Sequence, residues 1–117
     1  MKTTKQQFDR FCKEFNRYAV SLGLTQYRVS FEHVDIDGCY ADITADSQNC
    51  VATVRLNKNV DEWVDLESVA LHECLHLLLA ELTGLARCRF VSEDGLERAE
   101  EGCVRRLQRV IGNRDKK

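Results

Sequence analysis

Apolar residues recur every three or four positions between Phe8 and Leu22, and Gly23 follows them. This period is that of an amphipathic helix, and glycine commonly follows a helix C-terminus. Thr4 and Gln7 have the spacing of a capping box, in which two side chains bond the free backbone N–H groups at a helix start. The pattern predicts a helix that begins after Thr4 and ends before Gly23.

From Gln26 the period changes to two, which is typical of strands. Three segments that alternate or run apolar follow at residues 27–33, 39–44 and 50–57, with turn residues between them. Because the connections are too short to hold a crossover helix, we expect neighbouring strands to be antiparallel. The predicted sheet is a three-stranded antiparallel meander.

A nearly continuous apolar segment predicts a central helix from Leu66 to about Leu82, with Asp65 as its N-cap. Trp63, the only tryptophan, is predicted to pack in the core just before this helix. Residues 85–91 lack a clear period and predict a loop that partly orders as a short fourth strand.

A last helix is predicted to open at Ser92, with Asp94 and Glu97 as a second capping box. Its predicted inward face consists of six apolar residues, Leu96, Ala99, Cys103, Leu107, Val110 and Ile111. Residues 1–117 then form one α+β domain, in which segment 112–117 is a flexible tail.

The formal net charge of the 117 residues is −2, which gives no electrostatic reason to expect nucleic acid or an anionic membrane as a partner. The N-terminus lacks the apolar core of a secretory signal, and no segment is predicted to span a bilayer. Six cysteines occur without a C-x-x-C pair, which favours reduced, buried thiols over a disulfide framework. We expect a cytoplasmic protein.

The central helix contains the densest chemistry in the sequence, His72-Glu73-Cys74-Leu75-His76. Residues four apart lie about 40° apart around a helix and one turn apart along it, so both imidazoles can reach one metal ion. Glu73 lies beside them, where a carboxylate can accept a proton from water instead of binding the metal. This H-E-x-x-H spacing is that of zinc hydrolases.

A hydrolytic zinc site needs a third protein ligand. No histidine follows His76, which excludes the metzincins, whose motif continues to a third histidine. The remaining candidates are four glutamates on the last helix, Glu93, Glu97, Glu100 and Glu101. With Leu96 at zero and about 100° per residue, Glu100 falls within the apolar face. An inward carboxylate needs a positive partner, so we predict Glu100 as the third ligand and Glu97 as the alternative.

His33 is the remaining histidine, and it lies on the apolar side of the first predicted strand. A partly buried histidine with a structural role is the expected interpretation. Because His33 directly precedes a turn, a role as metal ligand stays open.

The order of elements is an amphipathic helix, a short sheet, an H-E-x-x-H helix and a final helix with glutamates. It resembles the gluzincin-type zinc metallopeptidases in their smallest form, the minigluzincins, and most of all short metallopeptidases encoded by bacteriophages and bacteria. The matching segments are residues 50–57, 70–78 and 100–107. The resemblance implies a zincin-like fold with one Zn²⁺ ion. If the chain is phage-encoded, it also implies that the protein is located in the host cytoplasm. It also implies a protein or peptide substrate bound in extended form along the third strand.

The chain departs from larger gluzincins in one respect, since it has no histidine or tyrosine after His76 to stabilise an oxyanion. Three arginines are alternative sources of positive charge, Arg87, Arg89 and Arg98.

The sequence therefore favours a zinc metallopeptidase with His72, His76 and Glu100 as metal ligands and Glu73 as general base. One alternative is a zinc-binding interaction or regulatory module of the same fold with little or no catalysis. Another is an ordinary core helix in which the short motif arises by chance.

Overall fold

The computed structural model describes residues 2–88 and 90–114, with residues 112–114 described by their backbone alone. Its elements are α1 (Lys5–Ser21), β1 (Arg28–Val34), β2 (Ala41–Asp46), β3 (Val51–Asn57), α2 (Leu66–Leu78), α3 (Ala80–Ala86) and α4 (Glu93–Arg114). The predicted α+β class is confirmed, with four helices and one three-stranded sheet in this part of the chain.

Side chains cap the first two helices as the sequence predicts. Thr4 Oγ1 accepts a hydrogen bond from Gln7 N at 3.1 Å, and Gln7 Oε1 accepts one from Thr4 N at 2.8 Å. The capping box of α1 is therefore confirmed. Asp65 Oδ1 accepts from Glu67 N at 3.0 Å and caps α2, so the motif helix begins where predicted.

The strand order in the sheet is β1-β3-β2, so β3 is the central strand. Val54 of β3 lies opposite Ile43 of antiparallel β2 and opposite Phe31 of parallel β1. The predicted meander, in which β1 and β2 are neighbours, is therefore wrong, and the predicted antiparallel pairing of β2 with β3 is confirmed. The short connections do exclude crossover helices, but segment 35–40 passes over the end of β3. As a result β1 and β2 run in opposite directions, and β3 occupies the space between them.

Asn57, the last residue of β3, holds this connection in place. Its side-chain Nδ2 donates to the carbonyl oxygen of Ile36 at 2.7 Å and to that of Cys39 at 2.9 Å. Its backbone N–H donates to the carbonyl of Tyr40 at 2.8 Å. Thr3 Oγ1 donates to the Asn57 carbonyl at 2.9 Å, which ties the N-terminal segment to the same end of the sheet. Because Asn57 is buried, these bonds replace those that water would make.

One face of the sheet forms the core with α1 and α2. Alternate residues of β3 are buried and belong to the same cluster as buried residues of both helices, namely Phe11, Phe15, Ala52, Val54, Leu56, Ala70, Cys74 and Leu77. On the opposite face Arg55 pairs with Asp42, which lies directly across from it on β2. Since α2 also contacts β2, the motif helix lies beside an edge strand of the sheet.

The predicted central helix is divided in two. α2 ends at Leu78 and α3 begins at Ala80, with a bend of 47° between them. The helical structure continues to Ala86, and the described residues of segment 85–91 form no strand, so the predicted fourth strand is wrong there. In the described part of the chain no single helix is long and apolar enough to cross a bilayer. α2 and α3 meet that criterion only as a bent pair.

The start and end of α4 differ from the prediction. Ser92 Oγ accepts from Gly95 N at 2.9 Å, so Ser92 caps this helix in place of the predicted pair of Asp94 and Glu97. The helix continues to Arg114, inside the segment predicted as a tail, and residues 115–117 lie outside the described residues.

α4 buries one part of its predicted inward face and leaves another part, with Leu107 and Ile111, exposed. Ala99 and Cys103 are buried, and the Cys103 thiol donates to the carbonyl of Leu78 at 3.4 Å. With Ala99 at zero, Glu100 lies about 100° away around the helix. Its side chain is exposed, so the predicted inward orientation of Glu100 is wrong. Ala99 and Cys103 have small side chains, so α4 can approach the end of α2 closely.

Candidate metal centre

Two imidazole nitrogens of α2 point at each other. The Nε2 atoms of His72 and His76 are 3.2 Å apart, with ring centroids 4.8 Å apart and ring planes at 78°. Two nitrogens that share a tetrahedral zinc ion at about 2.0–2.1 Å would be about 3.3 Å from each other. The observed separation therefore fits joint binding of one ion, and it also fits an N–H···N hydrogen bond without metal. Both residues are exposed.

Glu73 is the buried acidic residue of the motif, with 5% of its surface exposed. Burial raises the pKa of its carboxyl group above the ordinary value, while the neighbouring His76 and His72 act in the opposite direction. Asp42 on β2 adds a smaller raising effect. The carboxyl group therefore holds a proton more readily than an exposed glutamate does.

A cleft runs along β2 on both sides of the motif, and His72, Glu73 and Ala41 line both of its halves. The acidic half, of about 770 Å³, also contains His76, four carboxylates and one guanidinium group, from Asp42, Asp46, Glu73, Glu81 and Arg87. The aromatic half, of about 940 Å³, is lined on its apolar side by Tyr40, Trp63, Val64 and Val69. The candidate metal centre lies where the two halves meet.

β2, and not β3, borders this cleft. β3 is paired on both sides, so the prediction that a peptide lies along the third strand is wrong in its choice of strand. In the part of the chain that the structure describes, β2 pairs with β3 alone, and Ala41, Asp42 and Ile43 line the cleft. An edge strand next to a cleft is the element to which an extended chain can add.

The predicted site residues are brought together only in part. The structure brings His72, Glu73 and His76 into one site. Glu97, Glu100 and Glu101 are exposed on α4 and line neither half of the cleft. Among the described residues, no group of three or more His, Cys, Asp or Glu side chains is placed to hold a metal ion. The role of Glu100 as third ligand thus stays a prediction.

Of the three arginines predicted as oxyanion partners, the structure describes Arg87 and Arg98. Arg87 lines the acidic half of the cleft, whereas Arg98 lines neither half. Arg89 lies outside the described residues.

His33 contacts other elements. Its ring stacks on Phe8 with centroids 4.8 Å apart and planes at 7°, and its Nε2 lies 2.6 Å from Thr3 Oγ1. Burial, and to a lesser degree the charge of Lys58, lowers the pKa of His33 below its ordinary value. These contacts support the expected structural role.

The aromatic half of the cleft is a feature that sequence reasoning missed. Trp63 was expected in the core, but 79% of its surface is exposed. The ring of Tyr40 meets it edge-on, with centroids 6.3 Å apart and planes at 87°. A signal was present in the sequence, because Trp63 follows the two charged residues Asp61 and Glu62 in a polar connector.

Comparisons of the chain with protein-family models, with curated proteins and with solved structures gave no significant match.

Proposed function

We propose that this protein is a zinc-dependent hydrolase of peptide bonds, in which His72 and His76 bind the metal and Glu73 is the general base. The observation that carries the proposal is the 3.2 Å separation of the two Nε2 atoms next to a buried carboxyl group. A helix that only packs gains nothing from burying a glutamate between two histidines, whereas a hydrolytic centre uses all three.

In this proposal Glu73 and Arg87 have different roles in hydrolysis of the peptide bond. A bound zinc ion supplies Lewis-acid chemistry, which acidifies water and polarises a carbonyl group. Glu73 accepts the proton of the attacking water and passes it to the departing amine. Arg87 places a positive charge in the acidic half, where it would offset negative charge that develops on the carbonyl oxygen.

The substrate of this proposal is an extended peptide that adds to the free edge of β2. Backbone hydrogen bonds to an edge strand can hold a peptide of any sequence, because they do not involve its side chains. Since Ala41 lines both halves of the cleft, a peptide along β2 would pass directly over His72 and Glu73.

A zinc site of this kind needs one more protein ligand, and Glu100 remains the residue that the sequence predicts. Zinc content of the purified single variants Glu97→Ala, Glu100→Ala and Glu101→Ala assigns it. Loss of zinc in Glu100→Ala alone supports Glu100, and loss in Glu97→Ala alone transfers the role to Glu97. Full retention of zinc by Glu100→Ala contradicts the assignment.

The test of the function is the variant Glu73→Gln. Because an amide cannot accept the proton, we expect cleavage of an unfolded protein substrate to fall by about 10²–10⁴-fold while zinc content stays unchanged. Glu32→Gln is a matched control, since Glu32 lies on β1, at the other edge of the sheet, and should leave the rate unaltered. Unchanged cleavage by zinc-loaded Glu73→Gln contradicts the mechanism.

A zinc-binding interaction module is the second candidate. It is favoured by the sequence, which has no histidine or tyrosine after His76 to stabilise an oxyanion. Bound zinc, a stable complex with unfolded protein and no cleavage products in the unmodified chain would support this candidate against hydrolysis.

A further inference from the structure

The only tryptophan of the chain stands at the candidate metal centre with most of its surface in water. Trp63 is 79% exposed, yet it lines the same half of the cleft as His72 and Glu73. Exposure of a large apolar ring to water is unfavourable in free energy, so a partner that covers the ring gains from binding it. A single exposed aromatic ring is common on protein surfaces, so the residues around Trp63 must show whether it belongs to a binding site.

The ring is part of a held arrangement. The hydroxyl of Tyr40 donates to Asp61 Oδ2 at 2.8 Å, and Val64 N donates to the Asp61 carbonyl at 3.1 Å. Asp61 thus fixes both the Tyr40 ring and the turn that carries Trp63. The two rings meet edge-on at 6.3 Å. A wall that is already ordered loses little conformational entropy when it binds a ligand.

The remaining lining favours an apolar occupant. Val64 and Val69 are packed against the core and present methyl groups to this half of the cleft. Two of its polar side chains are engaged with each other, since Ser68 Oγ donates to Asp65 Oδ2 at 3.1 Å, and Asp65 also caps α2. The acidic half contains four carboxylates and a guanidinium group, whereas the aromatic half contains two carboxylates, from Asp65 and Glu73.

From these observations we propose that Trp63 and Tyr40 form a subsite for an aromatic or large aliphatic side chain of the bound peptide. The inference rests on the proposed function and narrows its substrate. Side chains of an extended peptide alternate between two faces, so a strand added to β2 can place one side chain in the aromatic half. Because His72 and Glu73 line that half, this side chain belongs to a residue next to the cleaved bond.

The experiment measures binding without cleavage, in the zinc-loaded Glu73→Gln variant. The probes are blocked octapeptides of alanine, serine and glycine that contain a single phenylalanine, moved along the peptide, or alanine or lysine in its place. We expect the best phenylalanine peptide to bind about tenfold more tightly than the alanine peptide in calorimetry. Its binding should also shift the emission of Trp63 to shorter wavelength, because the indole ring leaves water.

Substitutions at the ring provide the controls. Trp63→Ala should reduce the preference for phenylalanine to about twofold or less, and Trp63→Phe should retain part of it. Since the Trp63 side chain is exposed, the substitution leaves the core intact, which circular dichroism checks. Val20→Ala removes another exposed apolar side chain, 66% exposed on α1 and outside both halves, and should leave the preference unchanged.

The outcomes separate this inference from the proposed function. If the phenylalanine preference depends on Trp63 but the unmodified chain cleaves nothing, the subsite stands and hydrolysis fails. Equal affinities for the phenylalanine and alanine peptides, a preference for the lysine peptide, or no binding by any peptide overturns the subsite, even where the unmodified chain cleaves proteins.

Discussion

The histidines of this protein occupy two opposite environments. At His33 the protein supplies partners for the ring, since Phe8 covers it and Thr3 lies within hydrogen-bond distance of its Nε2. At α2 the Nε2 atoms of His72 and His76 face each other at 3.2 Å, and both residues are exposed at a cleft. Among the described residues, the only hydrogen bond of these two rings is the one between them.

The difference indicates what distinguishes a structural histidine from a candidate ligand. A metal ion binds the lone pair of a ring nitrogen, so a nitrogen that the fold already engages is poorly suited to it. His33 is engaged in this way, and its lowered pKa follows from its burial. The pair on α2 keeps its nitrogens directed at one point in the cleft, which is the property that a binding site requires.

The largest expected effect comes from removing a histidine from each environment in turn. We expect His72→Ala and His76→Ala each to raise the zinc Kd by at least about a hundredfold, because loss of a residue that only supports a ligand already costs 10–100-fold. His33→Ala should leave the zinc Kd within about twofold, since its ring contacts Thr3 and Phe8 instead. Competitive titration with a zinc-sensitive dye measures all three. A large loss in His33→Ala would contradict the comparison.

A second variant tests the structural side. Thr3 is buried, and its hydroxyl donates to the Asn57 carbonyl at 2.9 Å while it faces His33 Nε2. Thr3→Val keeps the shape but leaves these groups without a partner, so we expect the free energy of unfolding to fall by about 1–3 kcal/mol. Urea unfolding measures this, and the zinc Kd should not change. If Thr3→Val weakens zinc binding instead, the two environments are coupled.

The smallest expected effect is a pH dependence at His33. Because its pKa is lowered in the folded state, the unfolded chain takes up a proton first as the pH falls below the ordinary value of 6.5. The contribution of His33 to stability is therefore kept above pH 6.5 and lost as the pH falls from 6.5 to the folded-state pKa. In His33→Gln, which cannot titrate there, the free energy of unfolding should depend less on pH over that range. If the free energy of unfolding of His33→Gln depends on pH as much as that of the unmodified chain, burial of His33 does not cause the dependence.

Local features of the fold could be read from the sequence because they depend on residues within one helical turn. Thr4 and Gln7 cap α1 through bonds that span three positions, and the four-residue spacing of His72 and His76 places both rings on one side of α2. The same holds for Asp65 at the start of that helix. Neighbours in sequence decide these contacts, so the pattern alone is sufficient.

Features that depend on distant partners could not be read in this way. Pairing of β3 with β1 requires knowledge of where segment 35–40 passes, and the period-two pattern is the same for parallel and antiparallel neighbours. The predicted apolar face of α4 spans about 120° around the helix, and packing buried the side of it with Ala99 and Cys103. Leu107 and Ile111 remain 38% and 60% exposed, and Glu100 is exposed with them. Glu100 lies beside the exposed side of this face, and the helical period alone could not show which side packing would bury.

The measurement that tests the central claim most directly is zinc K-edge X-ray absorption on the zinc-loaded protein. It counts the imidazole ligands of the ion and gives the metal–nitrogen distance. The account predicts two imidazoles at about 2.0–2.1 Å, from His72 and His76, with the remaining ligands of other types. A spectrum that requires three imidazoles would place His33 at the metal and contradict the separation of the two environments. A spectrum with none or one would contradict the metal centre itself.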